Sequence, residues 1–455
     1  MDKEELKVTF DINTIDHLGV KLYSTIPPMI AELISNAWDA DAENVYVNFD
    51  DNKGKKTITV HDDGNGMTFT ELNEQFLKVG RNRRVELHKD ETQKGRKVLG
   101  KKGLGKLSMF GIGKKITIST VKNGIKNSFI MDYDQLKACE EGEYKPQIID
   151  YYMKTDEGKG TTFFIEQLSR KSDFDIAGLY RNLQTRFHIY SDKFIVHINN
   201  DKKYEINSND LPDDKCQFMW KFPDDFEKDF EIEIDKYKKL YEFGKSKGVV
   251  GKIFTALTPL NKDAQGIVLF SRGKLVQEHS AFDDRANDNF FQYMSGSFDV
   301  DFIDDSYDVD NCSTDRKSLA WDIDENDELN QLKELLKKLI SIAQRKWREK
   351  RKAEKKKKVS SYGQDIDEWL KTLNPTEKSL AKKLVNAIID NDDINEDAAA
   401  EYISCIKDMY GFEGFKQFTA ELDELQELDN ESAIKLLTDW NTIEAKEYAK
   451  IIMVS

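Results

Sequence analysis

The stretch Glu32-Leu33-Ile34-Ser35-Asn36-Ala37-Trp38-Asp39-Ala40 constrains this chain more than any other. On a helix, Glu32, Asn36 and Asp39 stand at i, i+4 and i+7 and point the same way. Ile30, Leu33, Ile34 and Ala37 give the other side an apolar stripe, so one face is built for a core and the other for polar chemistry. The period predicts a helix over 25–42, with Pro27 and Pro28 near its start, where proline is tolerated. A carboxylate, an amide and a second carboxylate stacked on one face can orient water and hold Mg²⁺ through oxygen ligands.

Strands are predicted at 45–49 and 57–60, around a turn at 51–54. The second strand leads into Asp62-Asp63-Gly64-Asn65-Gly66-Met67, with the spacing D-x-G-x-G. A carboxylate at that strand end can accept a hydrogen bond from an exocyclic amine, which favours adenine, and the glycines remove the Cβ atoms that would keep a base away. Further on, Gly100-Lys101-Lys102-Gly103-Leu104-Gly105-Lys106 immediately precedes the apolar Leu107-Ser108-Met109-Phe110. Glycines opening a helix present free N–H groups and the positive end of its dipole to phosphate, and three lysines add charge beside it. Finally, Gly160-Thr161-Thr162 precedes a strand, where a hydroxyl can support Asp62 through a shared water. Each motif alone is ordinary turn, loop or strand sequence. Their order is what points to a nucleotide and its metal.

Residues 81–102, crowded with Lys and Arg and poor in core residues, read as a long mobile loop. Strands at 116–121, 127–132 and 161–166 follow, and this late antiparallel arrangement predicts an α+β sandwich over 1–170, not a doubly wound sheet. A helix at 181–188 and strands at 194–198, 249–256, 266–270, 275–277 and 298–302 predict a second α/β unit over 171–323. Leu329, Leu332, Leu335, Leu336, Leu339 and Ile342 recur at three- and four-residue steps and predict a long helix over 324–358, ending in Lys355-Lys356-Lys357-Lys358. A linker at 359–364 then opens a small helical bundle, so that 359–455 forms the last unit.

Composition narrows the function. With 39% apolar and 34% charged residues, the chain suits an elongated, well-solvated molecule. A net charge of −15 argues against a general nucleic-acid coat, although a local basic patch can still bind phosphate. The acidic amino terminus has no apolar run, so no signal peptide is expected, and no segment has the length of a membrane span. Cys139, Cys216, Cys312 and Cys405 form no paired metal-ligand spacing, which suits a reducing cytoplasm, and six histidines give little material for a zinc or Ser-His-Asp enzyme.

Taken in order, E-x-x-x-N-x-x-D-A, D-x-G-x-G-M, G-x-x-G-x-G and G-T resemble the four signature boxes of the GHKL ATPases, the superfamily of gyrase, the ninety-kilodalton heat-shock chaperones, histidine kinases and MutL. The resemblance covers about residues 12–166. Glu32 to Ala40 is close to the chaperone version, while the lead-in with Leu18-Gly19 and Tyr23 looks more like the MORC branch and related prokaryotic proteins.

This resemblance implies a Bergerat-type sandwich, a transducer-like second unit and an Mg²⁺-dependent ATPase. Glu32 would be the general base and Asn36 the Mg²⁺ ligand, with Asp39 and Ala40 beside them. Asp62 would take the adenine amine, with Gly64, Gly66, Met67 and Thr161 shaping the base pocket. Gly80, Gly100, Lys101, Lys102, Gly103, Leu104, Gly105 and Lys106 would close over the phosphates behind a lid formed by 81–102. A cation from the second unit would reach the γ-phosphate: Arg316 is the first choice and Lys317 the second, while Arg272 looks like a hairpin tip.

The expected output is an ATP-gated homodimer, coupled to DNA through the basic helix Arg345–Lys358 or to a separately encoded effector, in a setting such as prokaryotic defence. A heat-shock-type chaperone and a non-hydrolysing ATP-binding adaptor are the alternatives. A sensor histidine kinase fits less well, because too little chain precedes Glu32 for a phosphoacceptor hairpin.

Overall fold

The computed structural model describes residues 25–52, 54–78, 90–100, 105–138, 144–207, 215–282, 289–305, 311–313, 318–321, 327–361, 366–391 and 394–411. Its first helix, α1 (Ile26–Asp39), carries proline in its first turn, where the missing N–H costs nothing. Met29, Ile30, Leu33, Ile34 and Ala37 are buried as the apolar stripe requires.

Eight strands pair into one sheet: β1 (Asn44–Asn52), β2 (Lys55–Asp62), β3 (Gly113–Lys122), β4 (Ile125–Asp132), β5 (Gln147–Lys154), β6 (Gly160–Leu168), β7 (Ile195–Ile198) and β8 (Glu205–Ile206). Their order is β5-β4-β3-β6-β2-β1-β7-β8. All neighbours are antiparallel except β1 and β7. Helix α2 (Ile176–Arg186) joins α1 over this sheet, and a single apolar core runs from Ile26 to Ile206. The expected α+β sandwich is present. The strand at 194–198, expected in the second unit, pairs in parallel with β1 and belongs to the first sheet. The edge strand β5 was not foreseen, because Gln147-Ile148-Ile149-Asp150-Tyr151-Tyr152-Met153-Lys154 shows no apolar–polar alternation.

A second sheet contains β9 (Cys216–Phe222), β10 (Val250–Ala256), β11 (Gly266–Ser271), β12 (Lys274–Ser280) and β13 (Met294–Asp299), in the order β12-β11-β13-β10-β9. The strand expected at 298–302 therefore starts earlier, and 301–304 is a short 3₁₀ turn. Helices α3 (Asp235–Ser246) and α4 (Asp327–Ser361) share the core of this sheet, to which Leu332, Leu335, Leu336, Leu339 and Trp347 are fully buried contributors.

Helix α4 continues into the expected linker as far as Ser361, and Val359 is buried among α5 (Ile366–Thr372), α6 (Pro375–Asp390) and α7 (Glu396–Met409). Much of the basic run on α4 is engaged within the chain. Arg345 and Lys346 pair with Asp229, Arg351 with Glu396, Lys352 with Asp390 and Lys358 with Asp397. Buried Lys355 donates to the Asn391 carbonyl at 2.6 Å, just past the end of α6. Lys350, Lys356 and Lys357 stay exposed. Among the described residues no helix is long and apolar enough to cross a membrane.

Candidate functional site

The polar face of α1 divides its labour. Asn36 is exposed, whereas Asp39 is buried and accepts the N–H groups of Leu99 at 2.8 Å and Gly100 at 3.0 Å. Asp39 thus fixes the start of the glycine-rich segment. Beside it, Asp41 accepts from the Thr92 hydroxyl and from the Lys94 N–H. The Arg96 guanidinium lies 4.3 Å from the Trp38 ring centroid and donates to the Ala42 carbonyl at 2.6 Å, while the Trp38 indole donates to the Lys97 carbonyl at 3.0 Å. Residues 90–100, expected to belong to a mobile loop, are therefore pinned over the carboxyl end of α1. Arg96 is a packing partner of an aromatic ring and of carbonyl groups, while Lys94 and Lys97 pair with Glu43 and Asp301. Gly80, Lys101, Lys102, Gly103 and Leu104 lie outside the described residues, as does the side chain of Lys106; Gly105 opens the turn Gly105–Gly111.

At the end of β2, Asp62 is buried, and its carboxylate accepts the Gly64 N–H at 3.0 Å. Burial pushes its pKa up to about 7, against the opposing pull of the Gly64 and Thr161 N–H groups. Gly66 has φ +61°, and a Cβ there would lie 2.1 Å from the Val121 carbonyl oxygen, so only glycine fits this turn. Thr161 stands directly opposite Asp62 across β2 and β6, and its hydroxyl lies 3.2 Å from that of Thr120. Buried Thr120 also accepts the Met67 N–H at 2.9 Å and donates to the Gly160 carbonyl at 3.1 Å. Thr120 thereby ties three predicted motif residues into one network. Sequence reading missed it, since a threonine inside an alternating strand carries no signal of its own.

The feature least visible in the sequence comes from the second unit. β11 and β12 are joined by the two-residue turn Arg272-Gly273, with φ +54° and +78°, the geometry of a type I′ hairpin. The tip inserts against the first unit: the His188 N–H donates to the Gly273 carbonyl at 2.7 Å, and the His188 ring stacks on Phe270 at 3.6 Å. Lys274, first in β12, then places its ammonium 2.7 Å from Glu32 Oε1. Both side chains are largely sequestered, Lys274 at 7% and Glu32 at 20% exposure. Arg272, at the tip as expected, donates to Asp90 at 2.7 Å and to Asp305 at 3.3 Å. One hairpin therefore touches both the acidic residue on α1 and the pinned segment. Arg316 and Lys317 lie outside the described residues.

This constellation fits a nucleotide. A buried carboxylate beside a glycine turn is an acceptor looking for a buried donor. The exposed Asn36 amide, one helical turn from Glu32, offers a hard oxygen. Among the described residues no three His, Cys, Asp or Glu side chains gather as a metal cluster. A divalent ion here would depend on Asn36 together with phosphate oxygens, as Mg²⁺ sites commonly do.

Residues 23–161 match the family described as histidine kinase-, DNA gyrase B- and HSP90-like ATPases. The first unit is a GHKL-type ATPase domain. A putative type II restriction enzyme, HgiDII of Herpetosiphon aurantiacus, is 29% identical over 334 residues, 70% of this chain and 53% of that protein. The chaperone protein HtpG of Clostridium perfringens is 26% identical over 194 residues, 38% of this chain and 31% of the chaperone. HtpG of Francisella tularensis is 32% identical over 142 residues, 26% of this chain and 23% of the chaperone. The chain thus spans about half the length of the restriction-enzyme relative and under a third of these two chaperones. The family match covers α1 and β1 to β5 and stops at the start of β6; it does not reach the β11–β12 hairpin.

Proposed function

We propose that the chain is an Mg²⁺-dependent ATP hydrolase in which Glu32 is the general base and Lys274 the cation delivered by the second unit. The 2.7 Å contact between them carries this reading. Asp62 and the Gly64–Met67 turn would hold adenine, with Thr161 and Thr120 behind them, and Asn36 would hold Mg²⁺. When bound, the ion supplies charge neutralisation across the phosphates.

In hydrolysis Glu32 takes a proton from water as the water oxygen bonds to the γ-phosphorus. The bond to the bridging oxygen breaks, and its electron pair leaves with ADP. With Lys274 on it, the Glu32 carboxylate is engaged and a poor base. Transfer of the ammonium from carboxylate to γ-phosphate both frees the base and stabilises the developing charge. Lys274 thus joins Arg316 and Lys317 as a candidate for the cation that the second unit contributes.

We further propose that ATP closes an amino-terminal homodimer and that the units behind it, with boundaries near residues 206 and 359, carry the output. The similarity to a restriction enzyme favours coupling to DNA or to a separately encoded effector, in a role such as defence. DNA contact through Arg345–Lys358 would rest on the exposed Lys350, Lys356 and Lys357. The similarity to HtpG supports a second reading, protein chaperoning, which client-protection assays would separate from the first. The hydrolase reading is tested with Glu32→Ala: ATP binding should persist and phosphate release should stop. Near-normal turnover in that variant would show that the base has been misassigned.

A further inference from the structure

At the far end of β12 from Lys274, roughly 20 Å along a seven-residue strand, the second unit holds a cleft of about 670 Å³ lined by Tyr237, Ser280, Phe282, Trp321, Lys333 and Lys337, among others. We propose that this cleft binds a phosphorylated planar heterocycle, that is, a nucleotide, either free or within a single strand, independently of the Asp62 pocket.

The aromatic wall is built in advance. The Trp321 indole N–H donates to Gln277 Oε1 at 2.9 Å, and the same oxygen accepts the Leu319 N–H at 3.1 Å, so the ring plane is fixed. Phe282 meets Trp321 edge-on, with centroids 5.4 Å apart and planes at 83°. Its φ of +52° is a conformation that an aromatic residue holds only where its surroundings impose it.

The charge is net positive. Lys333, Lys337 and Lys338 line the cleft against a single carboxylate, Glu334. Glu334 accompanies Lys337 at 3.2 Å, and Lys338 is matched by Glu233 at 2.7 Å while lying 4.1 Å from the Tyr237 centroid. Lys333 sits 6.0 Å from the Trp321 centroid, and among the described residues no carboxylate pairs with it. A bare anion would leave the indole face unused, and an apolar ligand would leave the Lys333 ammonium unanswered. A base with its phosphate uses both, the combination by which single strands and nucleotides are held. The volume lies within the range of small-molecule sites.

The test uses the full-length chain carrying Asp62→Asn, so that the ATP pocket does not contribute. Fluorescently labelled short oligodeoxythymidylate and free thymidine monophosphate are the probes, read by anisotropy and calorimetry respectively. At least one should bind. Lys333→Glu with Lys337→Glu should weaken that binding about tenfold or more at an unchanged melting temperature, and Trp321→Leu should weaken it to a similar extent. Binding of the monophosphate supports a free nucleotide as the natural ligand, and binding of the oligomer alone supports a strand. The proposal is overturned if neither probe binds, if the double lysine variant binds as well as its parent, or if affinity is lost only on changing Lys356 and Lys357.

Discussion

Lys274→Met keeps the length and apolar stem of the side chain and deletes its charge. At 2.7 Å and an effective dielectric constant near 20, the gross attraction it removes is about 6 kcal/mol. Desolvation offsets much of this in the intact pair, but Glu32 then stays in place without its counter-charge, which costs about 3 kcal/mol of stability. The ATP-free variant should therefore melt earlier. Nucleotide affinity should change little, because adenine is held at Asp62. The chemical step should slow by about 10²–10³, the usual effect of deleting one preorganised charge at a reacting centre. Single-turnover phosphate release at saturating ATP reads the rate, and equilibrium titration with a non-hydrolysable analogue reads the affinity. Lys274→Arg should recover part of the rate. A methionine variant that hydrolyses ATP as fast as the wild type, yet melts earlier, would reduce Lys274 to a strut between the two units. A faster variant would make it only a brake. Either result refutes the transfer of the ammonium to the γ-phosphate.

Asp62 carries a pH signature. Its folded pKa, about 7, is raised above the ordinary value of 3.8, so the native state holds a proton that the unfolded chain gives up. The associated stability is fully present below pH 3.8 and is lost as pH rises through about 7. Asp62→Asn should remove this slope and raise the melting temperature of the ATP-free protein at pH 8, while abolishing ATP binding. An unchanged affinity in isothermal titration would contradict the base pocket. In the wild type, ATP affinity should fall as pH drops below about 7, where the acceptor is protonated. Gly273→Ala combines a left-handed φ of +78° with a Cβ placed 2.5 Å from Ile189 Cγ2, so hairpin seating should weaken by about 1–2 kcal/mol or more; turnover should drop with KM for ATP nearly unchanged. Light scattering with a non-hydrolysable ATP analogue should show a dimer forming or tightening, and a monomer throughout would remove the clamp.

The first half of the site was readable because its chemistry is local. Glu32, Asn36 and Asp39 share a face through helix geometry alone, and Asp62 and Gly66 lie within one turn. The remainder depends on pairings across long stretches of chain. Lys274 meets Glu32 across 242 residues, and nothing in Ser271-Arg272-Gly273-Lys274 distinguishes a buried plug from a surface hairpin. The strand at 194–198 was placed in the wrong sheet because a parallel partner, β1, cannot be inferred from its own alternation. Composition misled twice in the same sense. The basic residues of 90–100 suggested a solvated loop, yet Arg96 packs on Trp38 and caps carbonyl groups. The polar run after Lys358 suggested a linker, yet Val359 belongs to a core whose other members come from the following helices.

The two-residue length of the Arg272-Gly273 turn has a consequence for how this protein can vary. Side chains alternate across a strand, so inserting or deleting one residue at the tip would rotate Lys274 to the opposite side of β12 and withdraw it from Glu32. Working variants of this chain should accept changes of length in other connections of the second sheet, such as 257–265 between β10 and β11, and reject them here. A deletion scan would then trace the hairpin as the one connection of that sheet whose residue count is inherited unchanged.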